Sequence, residues 1–164
     1  AIADELSVCF TPERTRLLVE PGISLISKCT TFVTKVFDTR DIKGTRYVMT
    51  DGSRFNIDPT MIKSSHLFHL RYGGQAADAR RVMDSQIISG FTCMEVDRLF
   101  THENMPELMP GDEIVYENVG GYTMSLNPLF IQYFPAVYVR EGEKLTLVRR
   151  KWTPADYVQG SIPE

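Results

Sequence analysis

Two stretches set a side chain capable of chemistry beside backbone that turns sharply. Gly90-Phe91-Thr92-Cys93-Met94-Glu95-Val96-Asp97 carries a thiol, and Glu117-Asn118-Val119-Gly120-Gly121-Tyr122-Thr123 carries a phenol after a glycine pair. A third, Glu20-Pro21-Gly22, ends an apolar run with a carboxylate. A small thiol of adjustable pKa suits proton delivery. A residue that follows two glycines lies where backbone can approach a ligand closely. Each residue also has a plain structural reading. Cys93 can be a half-buried thiol, Glu20 the end of a strand, and Tyr122 an aromatic that fills a β core. Asp97 reads as structural, holding the cysteine loop through hydrogen bonds.

The elements that must position these residues are short. Arg16 to Glu20 reads as a buried strand stopped by Pro21-Gly22, and Ile23 to Lys28 as a short helix. Thr30 to Thr39, rich in Thr, Val and Phe, predicts a long strand. Asp41-Ile42-Lys43-Gly44 has hairpin-turn chemistry before a partner strand at 46–50. Further strands are expected at 66–72, 81–89, 113–118, 136–140 and 144–149, with 102–111 a proline-punctuated loop. Thr153-Pro154-Ala155-Asp156 predicts a capped C-terminal helix, with Trp152 as its anchor. Seven or eight short strands with turn signals between them and little helix predict a mainly β domain, an antiparallel barrel or sandwich.

Composition narrows the classes of function. A chain of 164 residues with 43% hydrophobic and 24% charged residues is one ordinary globular domain. A net charge of −3 gives no electrostatic case for nucleic acid, and no apolar stretch approaches the roughly 20 residues of a membrane span. Cys9, Cys29 and Cys93 cannot all pair and lie in no CxxC spacing, so reduced thiols in a cytoplasmic protein are expected. On a strand His66 and His69 point to opposite faces, and His102 lacks partners, so no metal site is expected. The chain begins at Ala1 rather than Met, which allows a processed chain or a fragment.

Val19-Glu20-Pro21-Gly22, Asp51-Gly52, Cys93-x-x-x-Asp97, Gly111-Asp112 and Gly120-Gly121-Tyr122-Thr123 follow one another in that order. The ordered set resembles the C-terminal part of the pyridoxal-phosphate-dependent ornithine/diaminopimelate (fold type III) decarboxylases, from about Arg16 onward. The resemblance implies that residues 1–29 end an α/β barrel whose last strand is 16–20, and that residues 30–164 form a C-terminal β-barrel domain. It implies pyridoxal 5'-phosphate as cofactor, with the Schiff-base lysine and main phosphate loop in a missing N-terminal α/β barrel. It implies a homodimer with shared active sites, a small amino-acid substrate, and no activity for this piece alone.

By the same resemblance, Glu20 pairs with the cofactor's pyridine nitrogen, Gly22 and Tyr122 bind its phosphate, and Cys93 donates a proton after CO₂ leaves. Phe130 corresponds to an aromatic contributed from the partner subunit. Three places depart from the family pattern, one of them between Asp51 and His66, where Thr60, Met61 and Ile62 stand near the family's tyrosine. Ile23 replaces an arginine, and Met94 replaces the acidic residue that holds the substrate's distal ammonium, with Glu95 one position later. These departures imply an atypical amino-acid substrate. They also allow a rival, a non-catalytic homologue that serves as a protein-binding module.

Overall fold

The computed structural model describes residues 2–11 and 13–162. Among these residues eight strands form in chain order. They are β1 (Phe32–Ile42), β2 (Thr45–Thr50), β3 (Leu67–Arg71), β4 (Val82–Ser89), β5 (Arg98–Pro106), β6 (Glu113–Glu117), β7 (Val137–Glu141) and β8 (Lys144–Arg149). Three helices are short: α1 (Ile2–Ser7), α2 (Ile23–Ile26) and α3 (Pro154–Tyr157). The chain is therefore mainly β, as its turn spacing predicts.

Six strands make one sheet in the order β3-β6-β1-β2-β4-β5, and β7 and β8 make a separate hairpin. β1 serves two neighbours in turn. Its first half, Phe32 to Lys35, pairs with β6, and from Val36 onward it pairs with β2 across an irregularity between Val36 and Asp38. A bulge there bends and twists the strand, which curls the sheet. The curl brings the two edge strands face to face, so that Phe68 of β3 and Phe100 of β5 lie 4.2 Å apart between ring centroids. The half-barrel thus closes through side chains rather than through a further ladder. Inside lie Val36, Val48, Ile57, Ile88, Leu99, Leu108, Ile114, Tyr116 and Val119.

Local chemistry explains the ends of several elements. The β1–β2 hairpin turns on Lys43 (φ 50°) and Gly44 (φ 83°), the two positive angles of a type I′ turn. Thr153 caps α3 in a capping box with Asp156, and Pro154 takes the first helical position. Trp152 packs edge-on against Phe134, 4.9 Å between centroids, and anchors that helix.

Three details differ from the expectations. Residues 16–20 form no strand, and Leu17, Leu18 and Val19 are exposed. A strand needs a neighbour's N–H and C=O groups, and no described strand pairs with this run. The stretch 102–111 is not all loop, because β5 continues through it to Pro106 against β4. As an edge strand β5 buries only one face, and its proline sits where an edge tolerates the missing donor. Finally, β2 and β4 run parallel, the one exception to the antiparallel pattern among the described strands. β3 and its flanking loops lie between them in the chain and supply the crossover that a parallel pair requires.

Candidate functional site

The cysteine loop spans the gap from the end of β4 to the start of β5, and Asp97 organises it. The Asp97 side chain is buried. Its Oδ1 accepts hydrogen bonds from Ser53 Oγ (2.9 Å) and the Arg54 N–H (2.7 Å). Its Oδ2 accepts from the Thr92 N–H (3.0 Å) and Thr92 Oγ1 (2.7 Å). The Gly90 N–H donates to the Asp97 carbonyl at 2.9 Å, and the Phe91 N–H donates to the Gly52 carbonyl at 3.1 Å. A Cβ on Gly90 would fall 2.2 Å from an Asp97 carboxylate oxygen, so only glycine fits. The expected structural role of Asp97 is what the geometry displays. Cys93 itself is exposed and reduced. Met94 beside it is partly buried, and exposed Glu95 turns toward Arg98 at 3.6 Å.

A second construction holds Tyr122. Helix α2 starts just after Gly22, and the chain returns to meet it at Gly120 and Gly121. The Gly120 N–H donates to the Ser27 carbonyl at 3.3 Å, and Ser27 Oγ donates to the Asn118 carbonyl at 2.8 Å. A Cβ on Gly120 would lie 2.1 Å from the Ile26 carbonyl oxygen, and one on Gly121 would lie 3.0 Å from Ile23 Cγ1. Close approach of backbone therefore requires glycine at 120, and a side chain at 121 would press on the Ile23 side chain. Tyr122 follows with φ +64°, a left-handed conformation unusual for a residue with a side chain. Its turn is held by Thr123 Oγ1, which donates to the Val119 carbonyl at 2.7 Å. The phenol oxygen lies 3.7 Å from where a Gly22 Cβ would be. Gly22, Ile23, Ile26, Gly121 and Tyr122 border a depression of about 210 Å³.

The structure thus brings Gly22 and Tyr122 together. It does not join the other expected site residues to them. Glu20 is exposed, without a hydrogen bond or ion pair among the described residues. Phe130 is exposed between Leu129 (φ 53°) and Ile131 (φ 70°), and positive φ at a β-branched residue marks strained backbone. Among the described residues no group of three His, Cys, Asp or Glu could hold a metal, and no helix is long and apolar enough to cross a membrane. Ser53 and Arg54, both bonded to Asp97, carry no sequence signal of that role. Their one cue is a turn after Asp51-Gly52, a pattern too common to single them out.

Comparison with known families decides what this arrangement belongs to. The family described as Pyridoxal-dependent decarboxylase, C-terminal sheet domain, matches residues 23–120, more than half of the chain. The chain belongs to this family. The L-glutamyl-[BtrI acyl-carrier protein] decarboxylase of Niallia circulans is 26% identical over 88% of the chain. The diaminopimelate decarboxylase of Buchnera aphidicola is 24% identical over 87%. The chain spans only 35% and 37% of the length of these curated relatives. Among solved structures, the diaminopimelate decarboxylase of M. jannaschii superposes with a TM-score of 0.77 over 99% of this chain and 37% of that one, at 22% identity. The Paramecium bursaria Chlorella virus arginine decarboxylase superposes with a TM-score of 0.64 over 79% of this chain and 35% of that one. The pyridoxal-dependent decarboxylase sheet domain is therefore the fold, and the match begins at Ile23, immediately after Gly22.

Proposed function

We propose that the whole protein is a pyridoxal-phosphate-dependent amino-acid decarboxylase and that this chain supplies its proton donor and part of its cofactor site. The observation that carries the reading is the approach of the Tyr122 hydroxyl to Gly22, inside a chain whose family is pyridoxal-dependent. A bare backbone facing a phenol in a small depression fits an anionic phosphate, since Gly22 has no side chain to block approach and both groups carry a donor.

Bound pyridoxal phosphate would supply the electron sink that takes up the pair left when the α-carboxylate departs as CO₂. The Tyr122 O–H and the Gly22 N–H would donate to phosphate oxygens. The Glu20 carboxylate would keep a proton on the pyridine nitrogen, and its exposure leaves it free to do so. Cys93 would hold on Sγ the proton delivered to the carbon that lost CO₂, and its exposure on a fixed loop suits delivery into a site completed by other parts of the protein. Met94, Glu95 and Phe130 would border the substrate.

Met94 offers no charge to a distal ammonium, and Glu95 is turned to Arg98, so the substrate would lack the free distal ammonium of ornithine or diaminopimelate. One relative is a decarboxylase of a glutamyl group carried on an acyl-carrier protein, and a blocked or carrier-linked amino acid fits the same absence of charge. Residues 1–29 would close an α/β barrel, with 16–20 as its last strand once paired, and residues 30–164 would form the sheet domain. The working assembly would be a cytoplasmic homodimer that shares its active sites.

The test uses full-length protein. Added pyridoxal phosphate should give the visible absorbance of a protein-bound coenzyme, and CO₂ should be released from a suitable amino acid. Replacing Cys93 with Ala should slow turnover by roughly 10²–10⁴-fold, the span of general acid catalysis, or send the proton to the wrong carbon. Unchanged rate and product would remove Cys93 from the reaction. A folded protein with no coenzyme absorbance would favour the binding-module reading, to which the uncharged Ile23 and Met94 and the exposed Tyr138, Leu145 and Leu147 of the β7–β8 hairpin already lend support.

A further inference from the structure

Cys93 is exposed, yet the backbone on both sides of it is fixed by one hydroxyl. Thr92 Oγ1 donates to Asp97 Oδ2 at 2.7 Å and accepts the Met94 N–H at 3.4 Å. The residue before the thiol and the residue after it are therefore tied to the same buried carboxylate. That carboxylate divides its work. One oxygen serves Thr92, and the other serves Ser53 and Arg54, which lie 44 and 43 residues before Asp97 in the chain. No cation pairs with Asp97 among the described residues, so hydrogen bonds alone compensate its charge.

The connection continues beyond Asp97. Ser53 is fully buried and caps a short turn, with its N–H donating to Asn56 Oδ1 at 2.9 Å. The Arg54 guanidinium donates to the Lys63 carbonyl (2.9 Å), to Asp58 Oδ2 (3.3 Å) and to the Met61 carbonyl (3.4 Å). Buried Asp58 accepts in turn from the Lys63 N–H (2.9 Å) and Thr60 Oγ1 (3.0 Å). Burial alone would raise the Asp58 carboxyl, but these bonds and the Arg54 charge outweigh it and hold the group below its ordinary value. The path from Thr92 to Lys63 is thus an unbroken set of bonds through two buried carboxylates.

We propose that Thr92, Asp97, Ser53 and Arg54 form a positioning unit that fixes the backbone carrying the Cys93 thiol and links it to the loop of residues 58–63. The unit does not react, since the Asp97 oxygens are already occupied by four donors. It sets where the Cys93 proton is held, and in that respect the proposal rests on the reading of Cys93 as proton donor. A change in loop 58–63 would be transmitted to the thiol through Arg54 and Asp97.

The experiment is carried out on full-length protein without added coenzyme. Iodoacetamide labelling is followed by mass spectrometry on the peptides that contain Cys93, Cys9 and Cys29. Thr92→Val removes the shared hydroxyl at nearly constant shape, Thr92→Ser restores it, and Ser53→Ala cuts the far side. Thr92→Val and Ser53→Ala should each shift the Cys93 labelling rate by roughly threefold or more, the population change that loss of one hydrogen bond produces. Cys9 and Cys29 should be unchanged, and Thr92→Ser should behave as the parent protein. With substrate and coenzyme, the same two variants should lower kcat at unchanged KM and raise the fraction of misprotonated product. Unchanged Cys93 labelling in both variants, or equal shifts at all three cysteines, overturns the positioning unit even where turnover persists. Shifted labelling in a protein that releases no CO₂ from any amino acid supports the unit and overturns the decarboxylase role instead.

Discussion

The Arg80–Asp112 pair gives the sharpest stability prediction, because both side chains are completely buried. Arg80 joins the loop after β3 to the loop between β5 and β6. Its Nε donates to the Gln75 carbonyl at 2.8 Å, and its terminal nitrogens donate to the carbonyls of Glu107 (3.0 Å) and Gly73 (3.3 Å) and to both Asp112 oxygens. The guanidinium also lies 4.6 Å from the Tyr72 ring centroid. Asp112 accepts two further bonds, from the N–H groups of Gly73 and Met109, each at 2.8 Å. The hydrogen bond to Asp112 holds the guanidinium proton still more firmly than in water.

Arg80→Met keeps most of the volume but leaves a buried carboxylate with two backbone donors and three carbonyls without theirs. Removing one partner of a buried pair costs about 3–5 kcal/mol, and the two surviving N–H bonds favour the lower part of that range. At 2–4 °C per kcal/mol, melting should fall by roughly 6–20 °C. The double variant Arg80→Met/Asp112→Leu should recover part of the loss, because no unpaired charge then remains. The coupling between the two sites should be about 0.5–3 kcal/mol. Thermal melts of the four proteins, followed by circular dichroism, measure both quantities, and hydrogen exchange at the Gly73 amide reports the local effect. A loss under about 1 kcal/mol for Arg80→Met, as for a solvent-exposed pair, would refute the reasoning. So would strict additivity in the double variant.

Gly120→Ala should displace α2, because the new Cβ meets the Ile26 carbonyl oxygen at 2.1 Å rather than a flexible side-chain end. Overpacking of this kind costs about 1–3 kcal/mol, and coenzyme titration should show weakened binding as Tyr122 moves from Gly22; unchanged affinity would separate the glycine cradle from the cofactor. His102 is buried between the Phe68 and Phe100 rings, and desolvation holds its pKa below the ordinary value of 6.5. The unfolded chain then binds the proton first, so stability is complete above about pH 6.5 and falls as pH drops toward the lowered folded value. His66 acts in the same direction, lowered by desolvation and by the charges of Lys63 and Arg54 against that of Asp58. His102→Leu should therefore shallow the acid slope without abolishing it, and an unaltered slope between pH 5 and 7 (roughly the window of an ordinary histidine) would contradict the burial argument.

What the sequence made legible was whatever depends on near neighbours. The type I′ turn at Lys43-Gly44 and the capped start of α3 are written in a few adjacent residues. The glycines at 120 and 121 signalled close approach, although only the fold reveals that Ile26 and Ile23 are what approaches. The misses depend on distant partners. Residues 16–20 have the apolar content of a strand but no ladder to join among the described residues. β5 has the polar look of a loop because an edge strand buries one face only. The parallel register of β2 on β4 follows from a crossover, which no local pattern encodes. Ser53 and Arg54 reach Asp97 across more than 40 residues of chain, so their link to Cys93 appears only in three dimensions.

The two halves of the candidate site are secured by different physics, and that difference makes their contributions separable. Around Tyr122 the constraint is steric, because the missing Cβ at Gly120 lets its backbone meet the Ile26 carbonyl and Gly121 packs on the Ile23 side chain. Around Cys93 the constraint is a buried charge saturated by donors, with Gly90 leaving room for the carboxylate. No hydrogen bond or ion pair among the described residues joins the two halves. Sites without shared partners perturb stability and binding additively within about 0.3–0.5 kcal/mol. Gly120→Ala should therefore weaken coenzyme binding without altering Cys93 labelling, and Thr92→Val should do the reverse. In the combined variant each effect should keep its single-variant size. A combined variant in which either effect grows or vanishes would mean that the halves are coupled through residues outside this chain, such as those of a barrel packed against both.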